Sequence, residues 1–180
     1  MKRRLLFVAP LVAIVALLVL GSGTTWAEQK KAKTPVVKSA DSRFLDSGDG
    51  TVLDSKTRLT WMKVDYWQVE GKWANWHIAA EFIQKMNHRQ FGGYSDWRLP
   101  TPDEALSLYD RRKRNTDKDG DKIFIDTIFE KGPGWGTWTS AEKKDQAAVI
   151  SYKDEGGQNY QDKVSGTDAF FRLVRGPESQ

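Results

Sequence analysis

The stretch 97–108, WRLPTPDEALSL, predicts a short extended segment followed at once by a helix. Thr101 and Glu104 are spaced so that the threonine side chain can accept from the Glu104 amide while the Glu104 carboxylate reaches back to the Thr101 amide. Pro102 fixes φ at the first helical position without costing a hydrogen bond. We therefore expect a helix that starts at Pro102. Its predicted inner face consists of Ala105, Leu108 and Tyr109.

An amphipathic helix is predicted upstream, over residues 75–86 (NWHIAAEFIQKM). Its apolar residues recur at i, i+3, i+4 and i+7, and Asn75 is placed to cap the first turn. These apolar residues are Trp76, Ala79, Ala80 and Ile83. His77 lies one position off this stripe, which favours a surface histidine over a catalytic one.

Strand-like runs flank the two helices. Residues 43–62 contain short β-prone segments separated by Gly, Asp and Ser clusters, which is typical of hairpins. Three further runs with strand composition follow at 135–140, 147–152 and 170–175. Strands at both ends and helices between them predict an α+β domain whose N-terminal and C-terminal strands pair.

The N-terminus has the pattern of an export signal. Basic residues at positions 2–4 precede an apolar run of 16 residues, 5–20, and a small-residue stretch that ends at Ala27. We predict a signal peptide over 1–27 that is cut before Glu28, with an uncleaved membrane anchor as the alternative. A Lys-rich tether, 28–42, then precedes the folded domain, 43–176, and a short tail, 177–180. The expected location is the periplasm or the cell surface.

Removal of the signal changes the charge of the chain. The full sequence has 28 Lys and Arg against 24 Asp and Glu, and three of the basic residues lie in the signal. The mature chain is therefore nearly neutral, and we expect no nucleic-acid partner. A membrane partner is expected only if the signal is retained. Because the chain has no cysteine, disulfides cannot stabilise it, and packing must do so.

Five ordered blocks of sequence resemble the Lcl C-terminal domain family, named for the Legionella collagen-like adhesin. The blocks lie at 43–63, 92–108, 125–129, 138–140 and 170–176. The resemblance implies a C-type-lectin-like fold, with a mixed or antiparallel sheet, two flanking helices and a long-loop region.

The segments 98–101 (RLPT) and 171–176 (FRLVRG) are also similar to formylglycine-generating enzymes and sulfoxide synthases. The first group of enzymes needs a reactive cysteine pair and the second a three-histidine iron site. This chain has no cysteine and two histidines, His77 and His88. We therefore expect a non-catalytic binding module, since fold alone does not imply function.

Residues 115–126 (NTDKDGDKIFID) have the spacing of a calcium loop. Oxygen-bearing side chains stand at relative positions 1, 3, 5, 7 and 12, with glycine at position 6, where such a loop turns sharply. The candidate ligands are Asn115, Asp117, Asp119, Asp121 and Asp126. The alternative is a solvated polar turn, and no cofactor is required by the sequence.

A run of four cations comes directly before this loop. It consists of Arg111, Arg112, Lys113 and Arg114. Arginine forks suit sulfate and phosphate oxygens, and the founding adhesin is associated with sulfated glycosaminoglycans. The resemblance therefore implies an anionic polysaccharide or another cell-surface glycan as the partner. The alternatives are a charged helix end screened by nearby acids, and a protein-binding or structural envelope domain.

Aromatic residues before the first helix are candidates for stacking on sugar rings. Tyr66 and Trp67 are the candidates taken for this role, and Trp73 stands close by. The alternative is a contribution to the core, which we expect for two of the three.

Overall fold

The structure, a computed structural model, describes residues 37–165 and 170–176. The predicted signal, most of the predicted tether and the tail lie outside these residues. Within the described ranges, no helix is long and apolar enough to cross a membrane.

The described residues form an α+β domain with antiparallel sheets. The strands are β1 (Val37–Lys38), β2 (Phe44–Asp46), β3 (Thr51–Asp54), β4 (Thr60–Met62), β5 (Asn115–Thr116), β6 (Lys122–Ile123), β7 (Gly136–Lys143), β8 (Gln146–Ser151), β9 (Gly157–Asp162) and β10 (Val174–Arg175). The helices are α1 (Tyr66–Glu70), α2 (Ile78–His88) and α3 (Pro102–Leu106).

A five-stranded sheet joins the two ends of the domain in the order β1-β2-β3-β4-β10. Val174 of β10 pairs with Trp61 of β4, the last strand of the N-terminal set, so the predicted pairing of N-terminal and C-terminal strands is confirmed. At the other edge, Val37 of β1 pairs with Asp46 of β2. Strand pairing in the described residues therefore already includes Val37, six residues before the predicted boundary at Arg43.

A separate sheet has the order β7-β8-β9, and a short hairpin joins β5 to β6. Trp138 of β7 pairs with Val149 of β8, and both side chains are buried. The strand runs predicted at 135–140 and 147–152 correspond to β7 and β8. Strand β9 was not predicted, because its residues are mostly polar and show no alternation of apolar and polar side chains.

Helix α3 starts as predicted. The Thr101 side chain accepts from the Glu104 amide at 3.3 Å, and the Glu104 carboxylate accepts from the Thr101 amide at 2.8 Å. Arg98 donates two hydrogen bonds of 2.7 Å to the same carboxylate. Burial favours the neutral form of Glu104, but the Arg98 guanidinium and the Thr101 amide outweigh it, so the pKa of Glu104 is lowered. The backbone of Arg98 pairs with Val174, which links this helix start to β10.

Helix α2 differs from its prediction in both its start and its inner face. It begins at Ile78, and the Asn75 side chain accepts from the Ile78 amide at 3.1 Å. Its buried residues are Ala79, Phe82 and Met86, whereas Ala80 is exposed. Phe82 faces inward because its ring packs on Phe171 at 5.4 Å. The predicted apolar stripe therefore lies beside the core rather than at its centre.

Helix α1 was not predicted, although its sequence carries a capping signal. The Asp65 side chain accepts from the Gln68 amide at 3.0 Å, and the Gln68 side chain accepts from the Asp65 amide at 2.9 Å. Gly71 ends the helix with φ of 64°, a left-handed conformation that glycine adopts without strain. At five residues, the helix is too short to show a hydrophobic period.

A buried arginine, Arg172, connects several of these elements. Its guanidinium donates to the carbonyls of Met62 and Lys63 at 2.8 and 2.5 Å, and its amide donates to the Thr137 side chain at 3.0 Å. Asp65, also buried, accepts from the Gly134 amide at 2.6 Å. Burial raises the pKa of Asp65 and lowers that of Arg172, while their mutual attraction opposes both shifts. The two charges therefore stabilise each other inside the domain.

We expect Arg172→Met to lower the free energy of unfolding by about 3 kcal/mol or more, because it leaves Asp65 buried without its countercharge. Arg175→Met is the matched control, since Arg175 pairs with Asp96, a residue that is largely exposed. Loss of that pair should cost about 1 kcal/mol or less. Urea unfolding at pH 7 measures both values, and equal losses would contradict the role given to Arg172.

Candidate functional site

The segment between α3 and β6 is fixed at its two ends by backbone hydrogen bonds. The Asp110 amide donates to the Phe124 carbonyl at 2.8 Å, and the Phe124 amide donates to the Tyr152 carbonyl at 2.9 Å. Ile123 and Ile125 are buried on either side of Phe124. Because neighbouring residues of an extended chain point in opposite directions, Lys122 and Phe124 are directed away from this core.

The four predicted cations do not act as one group. Lys113 turns inward, where its ammonium lies 2.7 Å from Asp41 and 2.6 Å from Asp126. Arg112 is exposed and pairs with Asp110 at 2.8 Å. This contact lowers the pKa of Asp110 to about 2. Arg111 and Arg114 are exposed.

Lys113 has a structural role, because it joins the N-terminal turn to the loop after β6. Burial by itself would lower the pKa of Lys113, but the carboxylates of Asp126 and Asp41 together raise it. The hydrogen bond from Lys113 in turn holds the pKa of Asp41 well below its usual range. Of the four predicted binding cations, Lys113 is thus already neutralised by its neighbours.

Two cationic side chains lie over the ring of Phe124. The Arg114 guanidinium lies 4.8 Å from the ring centroid, and the Lys122 ammonium lies 5.0 Å from it. Tyr109 meets the same ring edge-on at 5.7 Å. Sequence reasoning missed Lys122 and Phe124, although the alternation in residues 122–125 (KIFI) could have placed them on the face opposite the buried isoleucines.

We name the exposed cations of this region the basic face. It consists of Arg114 and Lys122, which contact the Phe124 ring, and of the exposed residues Arg111 and Arg112, which lie close to Arg114 in sequence. In the part of the chain that the structure describes, no carboxylate lies within ion-pair distance of Arg111, Arg114 or Lys122. Three of the four cations are therefore available to an anionic ligand.

The predicted calcium residues lie in what we call the Asp loop, residues 115–126. Asp117 is buried and accepts from the amides of Asp119 and Asp121 at 3.0 and 2.8 Å. The Lys153 ammonium lies 2.9 Å from the second Asp117 oxygen and 2.7 Å from Asp121. This second Asp117 oxygen accepts no hydrogen bond, so its contact with Lys153 is an ion pair. Asp119 pairs with Lys118 at 2.6 Å.

The other two candidate ligands are engaged elsewhere. The Asn115 side chain donates to the carbonyls of Asp126 and Phe129 at 3.2 and 2.7 Å. The Asp126 carboxylate accepts from the Ile128 amide at 2.9 Å and binds Lys113. Among residues 37–165 and 170–176, no three His, Cys, Asp or Glu side chains are grouped to hold a metal ion. The loop as it stands is neutralised by lysines.

The aromatic candidates divide between core and surface. Tyr66 is buried, and its ring packs on those of Phe82 and Phe171 at 5.1 and 4.6 Å. Tyr66 therefore contributes to the core. Trp67 is half-buried, and its ring lies 5.3 Å from that of Trp73, which is 37% exposed. The Lys118 ammonium lies 4.9 Å from the Trp67 ring and 4.3 Å from the Trp73 ring. This lysine already covers part of the aromatic surface that a sugar would use.

Comparison with known proteins gives one family. The family model described as the Lcl C-terminal domain matches residues 50–175, more than half of the chain. No curated protein and no solved structure matched the chain in these comparisons.

We expect Lys113→Met to lower the free energy of unfolding by about 2 kcal/mol at pH 7, between the values typical of exposed and buried pairs. The pKa of Asp41 is lower in the folded state than in the unfolded state, where it is about 4, so the charged Asp41 stabilises the folded protein above pH 4. This stabilisation is lost as the pH falls further. The difference from wild type should therefore shrink below about pH 4. Urea unfolding across pH measures this. Arg112→Met is the control, with an expected loss near zero, and a difference independent of pH would contradict the assignment.

Calcium binding by the Asp loop stays a prediction. A calcium ion would have to displace Lys153 from Asp117 and Asp121. We therefore expect millimolar Ca²⁺ to raise the Tm and EDTA to lower it, with a larger effect in Lys153→Met, where the competing ammonium is gone. Thermal unfolding monitored by tryptophan fluorescence tests this, and an unchanged Tm in both proteins would exclude calcium binding.

Proposed function

The chain belongs to the Lcl C-terminal domain family, and on this premise we propose that it is an exported, non-catalytic binding module for an anionic, sulfated polysaccharide. The family is associated with an adhesin, and its founding member with sulfated glycosaminoglycans. The export pattern of residues 1–27 supports a location in the periplasm or at the cell surface. N-terminal sequencing of the mature protein tests the cut before Glu28.

The observation that carries the proposal is the arrangement of cations around Phe124. Arg114 and Lys122 lie on one ring, so their charged groups are within about 10 Å of each other. Contact with the ring restricts two long side chains before any ligand arrives, which lowers the entropy lost on binding. Two held cations suit a polymer that carries several anionic groups on neighbouring sugars.

The chemistry of the arginines favours sulfate esters. A guanidinium presents parallel N–H donors that can bind two oxygens of one sulfate, and it stays charged at every physiological pH. Arg111 and Arg112 extend the basic face beyond the Phe124 ring, and Arg112 can exchange Asp110 for a ligand because its side chain is 86% exposed. Exposed contacts of this kind are individually weak, so affinity must come from several of them together.

We also propose that the domain has a C-type-lectin-like fold. The pairing of β10 with β4 supports this, because terminal strands meet in that fold. The second sheet, β7-β8-β9, and the long irregular connection between α3 and β7 are the other supporting features. An experimental structure compared with C-type-lectin-like domains tests the fold.

We expect the basic-face variant, with Arg111, Arg112, Arg114 and Lys122 all changed to Ala, to bind a heparin oligosaccharide more weakly. At ~0.5 kcal/mol for each exposed contact, the loss is about 2 kcal/mol, or roughly thirtyfold in Kd. Isothermal titration in low salt measures it, and wild-type affinity should fall steeply as salt is added.

The matched control removes four exposed cations from other parts of the chain, so that the net charge is the same. These are Lys56, Lys72, Arg89 and Lys131. This control should keep most of the wild-type affinity. Equal losses in the two variants would mean non-specific charge attraction, and absence of binding by the wild type would favour a protein-binding or structural envelope domain instead.

A further inference from the structure

Strand β9 forms an open edge of the sheet β7-β8-β9. It pairs with β8 along its whole length, from Gly157 opposite Ser151 to Asp162 opposite Gln146. On its other side, no strand of the described residues pairs with it. Alternate backbone N–H and C=O groups of β9 therefore point outward with no strand to receive them.

The other sheet edges in the described part of the chain are short or covered. The outer edge of β7 is bonded by the Trp138 amide to the Phe170 carbonyl at 2.7 Å and by the Ser140 amide to the Pro100 carbonyl at 2.8 Å. In the five-stranded sheet, β1 has two residues, and Arg98 bridges to Val174 of β10. With six residues, β9 is the longest open edge among the described residues.

The sequence of β9, GQNYQD, lacks the features that usually protect an edge strand. Natural edges carry lysine, proline or a bulge that prevents pairing with another chain. No lysine, arginine or proline occurs in β9, and the irregularity of this sheet lies between β7 and β8, at Trp138 and Glu142. The first five residues of the strand carry no charge, so their own side chains do not repel another strand, although the Lys143 ammonium of β7 lies 4.1 Å from the Tyr160 ring centroid.

We propose that β9 pairs antiparallel with β9 of a second copy of this chain. A two-fold interface requires a surface that is complementary to itself. An antiparallel edge satisfies this through its backbone, and amide side chains satisfy it because each has both a donor and an acceptor. Gln158, Asn159 and Gln161 supply such amides, of which the first two are exposed.

The contact area sets the strength of this dimer. Stable interfaces bury about 800 Å² on each partner, which one strand of this length does not supply. The dimer is therefore weak and concentration-dependent in solution. It becomes significant where many copies are held close together, because the effective concentration is then high.

The absence of cysteine from the sequence permits a direct test. Asn159→Cys places a single thiol near the middle of β9, and Gln84→Cys places one on an exposed position of α2 as the control. With a short bismaleimide, Asn159→Cys should give at least about fivefold more covalent dimer than Gln84→Cys, with a yield that rises with concentration. Adding Gln158→Lys and Gln161→Lys should reduce the yield to the control level without lowering the Tm.

Equal cross-linking of the two cysteine variants at every concentration would overturn the proposal. So would sedimentation equilibrium of the unmodified protein that shows monomer alone up to millimolar concentration. If the lysine substitutions lower the Tm, the sedimentation result on the unmodified protein decides. The experiment contains no polyanion, so it does not depend on the proposed polysaccharide ligand.

Discussion

The buried guanidinium of Arg172 holds together parts of the chain that are far apart in sequence. It binds the carbonyls at the end of β4, its backbone donates to Thr137 of β7, and its charge attracts that of Asp65, which caps α1 and accepts from the Gly134 amide. Removing two charges from water is costly, so the arrangement is stable only when each retains its partners. The start of α1, the end of the first hairpin set and the approach to β7 are therefore set by one interaction.

Much of this framework could be predicted from local sequence, and the failures have physical causes. The start of α3 was predictable because its cap uses residues three positions apart, and the Arg98 contact adds to it. The inner face of α2 was not predictable, because apolar residues stand on two faces: Trp76, Ala80 and Ile83 on one, Phe82 and Met86 on the other. The choice between the two faces depends on where Phe171 lies, which is more than eighty residues away in sequence. Strand β9 could not be predicted, since its pairing with β8 rather than its composition makes it a strand.

The candidate site, too, was predictable from the sequence only in part. The sequence located the cations at 111–114, but it could not tell that Lys113 turns inward to two carboxylates while Arg114 turns outward onto Phe124. In the five blocks that identify the family, the polar residues with clear contacts are mainly structural, among them Glu104 and Arg172. The basic face lies between those blocks. The residues proposed to bind a ligand are therefore carried by an exposed connection between these blocks.

We propose that a frame fixed by buried charges presents residues 109–126 for binding. Amide hydrogen exchange of the protein with and without a sulfated hexasaccharide tests it most directly. We expect exchange to slow over residues 109–126 and to be unchanged in β2, β3 and β4. Slower exchange around Trp67 and Trp73, with no change at residues 109–126, would contradict it.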